Sequence, residues 1–132
     1  MKRSEAREVA FILIFEKTFS DDSIEKIIEN AVEARNITVN DFTVSLALGA
    51  DKHSEKIDQM IADHSHKWSK DRISKVALAI MRISVYEILH VKDIPVSVSI
   101  NEAVELAKKY GGDEDSAFVN GVLGGIARNT EE

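Results

Sequence analysis

The chain has 132 residues, 44% of them hydrophobic and 30% charged, with one proline, no cysteine and a formal net charge of −6. That length supports a single domain whose core needs no staples, and the missing cysteines exclude disulfides, zinc-thiolate and iron-sulfur ligation and thiol catalysis. Charges interrupt every apolar run before the roughly 20 residues of a membrane span, and the opening MKRSEAREVAFILIFEK sets acidic side chains in its apolar stretch and lacks a small-residue cleavage site, so a cytoplasmic location is expected.

Apolar residues recur at three and four positions almost throughout, which predicts an all-α domain. The first helix is expected from about Ser4, its N-cap, to Phe19. The second starts after Ser20, Asp21 or Asp22, presents Ile24, Ile27, Ile28, Ala31 and Val32 on one face and ends near Arg35-Asn36. A third begins at Asn40 or Asp41 and extends toward His64, with a kink or break possible at Gly49. The fourth is expected from about Lys70, capped by Ser69, to Val91. Its centre, VALAIMRISVYEIL, is apolar nearly all round and so belongs in the middle of a bundle. Pro95 forces Ile94 out of the helical region and ends it. The alternating PVSVSI reads as a short extended connector, and Ser99 to Glu102 has the spacing of a capping box that opens a fifth helix. Gly111-Gly112 closes that helix, and Asp113, Asp115 or Ser116 caps a last one through about Arg128. The expected architecture is one compact bundle of about six to seven helices spanning residues 1–132.

No enzyme signature emerges from these residues. Asp63, His64 and His66 are the only cluster resembling metal ligands, and residues one and two apart on a helix diverge. His53 and His90 read as isolated surface or capping residues. The glycines after Val119 have neither the following Lys-Ser/Thr nor the preceding strand of a phosphate-binding loop. No catalytic residue, metal or cofactor is expected.

Net acidity argues against nucleic-acid binding, since phosphate neutralisation needs a basic surface. The basic residues nevertheless gather in two short stretches, Lys2/Arg3/Arg7 and Lys67/Lys70/Arg72/Lys75/Arg82. On the first helix Arg3, Arg7, Ala10, Ile14 and Lys17 form one stripe flanked by Phe11 and Phe15. Either neighbouring helices sandwich this helix, or its aromatic side docks a partner beside cations that meet phosphates. Glu87 stands about 140° from Arg82 on the fourth helix, so its carboxylate needs a donor from another element or from a partner protein. Gly121 and Gly125, four apart, make a groove for a close neighbour, either a packed helix or an RNA strand.

Arg7-Glu8-x-Ala10, Arg82 to Leu89, Ile94-Pro95, the INEAVELAK of 100–108 and the FVNGVL of 118–123 occur in an order and spacing that resembles the NusB (N utilisation substance B) family of bacterial transcription antitermination factors. The resemblance covers essentially the whole chain. It implies an all-helical RNA-binding fold of two packed helical subdomains, without catalysis or cofactor. It also implies recognition of boxA RNA in ribosomal RNA leaders together with the ribosomal protein NusE, and indirect action with other Nus factors and RNA polymerase. Carried over by position, Lys2, Arg3, Arg7, Phe118 and Asn120 are the implied RNA contacts, and Phe11, Phe15, Arg82 and Glu87 the implied partner-facing residues. The free protein is expected as a monomer or homodimer, with no membrane association. Against the family pattern, Ser4-Glu5 interrupts the arginines, Phe15 stands where tyrosine is common, and Ala117 and Gly124 replace charged residues. These changes predict weaker and less salt-sensitive RNA binding than the family norm. Two other readings are an accessory RNA-binding domain like those fused to ribosomal RNA methyltransferases, and a pure protein-interaction module. The absence of a cofactor-binding domain before Glu132 weighs against the first, and net acidity favours the second.

Overall fold

Short polar side chains decide where three of the helices begin. A computed structural model describes residues 1–65 and 73–130, and among these it contains seven helices: α1 (Arg3–Thr18), α2 (Ile24–Arg35), α3 (Asp41–Lys52), α4 (Ser54–Asp63), α5 (Lys75–His90), α6 (Val96–Tyr110) and α7 (Asp113–Thr130). Ser23, Asn40 and Ser74 cap α2, α3 and α5, each accepting the amide three residues on, which satisfies a donor the helix cannot use internally. Asn36 ends α2 in the left-handed conformation at φ 54°, which asparagine tolerates better than most residues. Gly112, at φ 95°, separates α6 from α7.

Four expectations are corrected. Ser4 is inside α1, which has Lys2 at its N-cap, and its hydroxyl donates to Glu102 Oε1 at 2.6 Å. The third helix is two helices divided at His53, while Gly49 remains helical. PVSVSI is the opening of α6 and not an extended connector: Pro95 sits at the N-cap, where its missing N–H costs nothing, and Val96 and Ile100 pack on the core. Ser99 is consequently an interior residue of α6 and caps nothing. The proposed start of the fourth helix at Ser69-Lys70 lies outside the described residues, as do His66, Lys67 and Arg72; the described helix opens at Lys75 behind Ser74.

α1 packs on α2, α3 and α5, while α6 and α7 pack on each other and on α5. α5 therefore belongs to both halves, and its nearly all-round apolar sequence follows: Ala79, Ile80, Met81, Ile83 and Val85 are all buried. One continuous core runs from Leu13, Ile24 and Leu46 through Ile80 and Met81 to Val119, Leu123 and Ile126. No helix among the described residues is long and apolar enough to cross a membrane.

Candidate nucleic-acid interface

The cationic stripe of α1 divides at its first turn. Lys2 and Arg3 are exposed, whereas Arg7, one turn further, is buried. Helical geometry stacks Arg3 and Arg7 on one face, and the ring of Phe42, from the first turn of α3, lies beside both, 4.7 Å from the Arg3 Cζ and 5.7 Å from that of Arg7. Arg3 also approaches Asp93, in the turn between α5 and α6, with Nη2 3.5 Å from Oδ2. Arg7 points inward: its Nε donates to Glu87 Oε2 at 2.8 Å and Oε1 at 3.1 Å, and its Nη1 is 3.4 Å from Glu102 Oε1. Ser99 donates to the same Glu87 carboxylate at 2.6 Å. A charged pair in an apolar interior persists only when its remaining hydrogen-bonding capacity is met; Ser99 and Glu102 do that here.

The structure thus places four expected contact residues in the interior: Arg7 at 5% exposure, Phe11 at 2%, Glu87 at 1% and Phe118 at 4%. The physical reason for the first and third is mutual neutralisation. For Phe11 it is packing, since its ring lies 5.0 Å from that of Tyr110 in α6 and 6.0 Å from that of Phe15. Arg82 is held by Asp58 of α4 in a two-pronged pair, both bonds 2.8 Å, and is partly exposed. Phe15 is half-buried and hands the aromatic row on to Phe19, 5.1 Å away, which is 64% exposed and has the Lys75 ammonium 5.7 Å from its ring. Sequence reasoning missed Phe19, taken only as a helix end, and missed Phe42 and Asp93, whose relation to Arg3 exists only in three dimensions.

Asn120 is exposed on α7, and beside it Gly121 faces open space. Gly125 does not continue that opening, because a Cβ there would meet the His64 ring at 3.3 Å. His64 is committed to the fold, with Nδ1 2.7 Å from the Met60 carbonyl oxygen and Nε2 2.6 Å from Asn129 Nδ2. No group of three potential metal ligands occurs among the described residues. α6 lies between the two exposed sets: it meets α1 through Ser4–Glu102 and through Glu8, which accepts from Lys109 and Tyr110, and it packs along α7. The bonds from Lys109 and Tyr110 hold the Glu8 carboxyl below the usual glutamate range. His53 and His90 are not isolated; their rings stack at 4.6 Å, with Tyr86 4.8 Å from His90.

The chain has relatives that match it over nearly its full length. The model of the NusB family matches residues 4–128. Over 130 residues the chain is 43% identical to the transcription antitermination protein NusB of Acetivibrio thermocellus, covering 97% of this chain and 90% of that protein. The NusB of Bacillus subtilis is 41% identical over 132 residues, covering 100% and 99%. Among solved structures, the chain superposes with a TM-score of 0.84 and 29% identity on a chain from the crystal structure of the antitermination factors NusB and NusE in complex with double-stranded RNA, covering 96% of each. A match of family model and relatives over nearly the full length, on the same all-helical fold, establishes that this chain belongs to the NusB family.

Proposed function

We infer that the protein is a transcription antitermination factor that binds boxA-type RNA of ribosomal RNA leaders jointly with the ribosomal protein NusE, acting with other Nus factors and RNA polymerase. The observation that carries this reading is its full-length likeness to a structure holding NusB, NusE and RNA together. The residues suited to RNA are those on the surface. Lys2 and Arg3 offer charge and a planar fork to phosphates, and Asn120 offers an amide beside the open Gly121. Phe15 and its exposed neighbour Phe19 suit an apolar partner surface, with Arg82 a further polar contact. Arg7 and Glu87 serve both surfaces from beneath, by fixing α1 against α5 and α6.

RNA and NusE on adjoining surfaces bind cooperatively by touching one another, so that each ligand, once held, completes part of the other's site. Titration of labelled boxA RNA with and without NusE tests this. Tightening by about tenfold or more with NusE is expected; equal affinities remove the mechanism.

A further inference from the structure

The guanidinium of Arg3 has two different sides in use. One face lies over the Phe42 ring at 4.7 Å, an attraction that leaves the N–H edges pointing outward. One of those edges meets the Asp93 carboxylate, Nη2 to Oδ2 at 3.5 Å, where both side chains are more than half exposed. Phe42 stays behind when Arg3 moves, because its ring packs against the hydrophobic core and also borders Arg7, which Glu87 and Glu102 hold in place. The platform is fixed and the edge facing Asp93 is accessible.

A carboxylate and a phosphate compete for the same N–H edge of a guanidinium with the same charge sign and hydrogen-bond geometry. We propose that Asp93 is an affinity-determining residue of the RNA site: it occupies the Arg3 edge until an RNA phosphate displaces it. This rests on the reading that Arg3 contacts RNA. An exposed pair is weak, so Asp93 tunes binding and does not block it. A polyanion anchored at Lys2 and Asn120 as well displaces it at low concentration, whereas a single small anion, with no second anchor, needs a far higher one.

The test is a cycle of the full chain, D93N, R3A and R3A/D93N, each titrated with labelled single-stranded boxA-type RNA at several salt concentrations, with melting temperature confirming the fold. D93N is expected to tighten RNA binding about 1.5- to fivefold at low salt, the range of an exposed ion pair, and to show no gain in the R3A background. R3A alone is expected to weaken binding. If R3A weakens binding but D93N leaves it unchanged, Asp93 does not compete and the proposal is overturned. Equal gains in both backgrounds overturn it too, because Asp93 would then act as a general repulsive charge. An unchanged affinity for R3A overturns the underlying reading of Arg3 as an RNA contact, independently of what D93N does.

Discussion

Arg3 and Arg7 are one helical turn apart on the same face of α1, yet one is exposed and the other is sealed against Glu87. The difference is a matter of what lies opposite. The Arg7 head meets a carboxylate that Ser99 also supports, in a space lined by Ile80, Ile83, Ala103 and Leu106, while Arg3 meets a ring and an exposed aspartate. Removing one partner of a buried pair strands the other charge, which costs about 3 to 5 kcal/mol, a large part of the roughly 5 to 15 kcal/mol that holds a domain together. Arg7→Ala is therefore expected to lower the urea midpoint sharply, by that amount after extrapolation, and Glu87→Gln to do so less, since glutamine still offers an oxygen. An Arg7→Ala protein of full stability would show the pair to be dispensable. The need for a donor to Glu87 is readable from the apolar helix around it. The identity of that donor is not, because Arg7 lies 80 positions away and no local period connects them.

At the scale of the helices, propensity and packing compete, and packing decides the interior cases. Asn40 and Gly112 follow from local chemistry and are legible as such, whereas the cap expected at Asp113, Asp115 or Ser116 is not found, since all three residues lie inside α7. The start of α6 is not legible either, because six alternating residues fit the first turns of a helix as well as a strand and only burial of Ser99 and Ala103 distinguishes them. By helix propensity Gly49 reads as a weak point, and in the structure it is a packing device: a Cβ there would collide with the hydroxyl end of the Tyr86 ring. Gly49→Ala gains up to about 1 kcal/mol in helix propensity and loses about 1 to 3 kcal/mol to overpacking, so a net fall in melting temperature is expected in thermal unfolding. The same ring borders His90, an exposed residue whose pKa is lowered first by partial desolvation against its neighbours and then by the charges of His53, Lys56 and Lys92. The unfolded chain binds that proton more readily, so stability falls as pH drops through the ordinary histidine range toward the lowered value. His90→Gln is expected to flatten the stability profile below about pH 7, and an unaltered profile would assign the slope to other groups.

For the molecule as a whole, the position of α5 governs what can move. The resemblance implies two subdomains, and the packing does fall into α1 to α3 on one side and α6 with α7 on the other, but α5 supplies buried residues to both. A helix shared in this way cannot be removed from one half without exposing the other, so the halves should lose structure together. Leu13 in α1 and Leu123 in α7 are both fully buried, one in each half, within the same continuous core. Leu13→Ala and Leu123→Ala are each expected to cost about 2 to 5 kcal/mol and to shift one unfolding transition, monitored by helicity and by denaturant titration alike. Two resolved transitions, each sensitive to one substitution only, would show that the halves fold independently. On the proposed reading the shared helix also matters for binding, because halves packed on one core keep Lys2, Arg3 and Asn120 at a constant spacing. A strand anchored at one end of that span then finds the other end already in place, without the ordering cost that separate modules would impose.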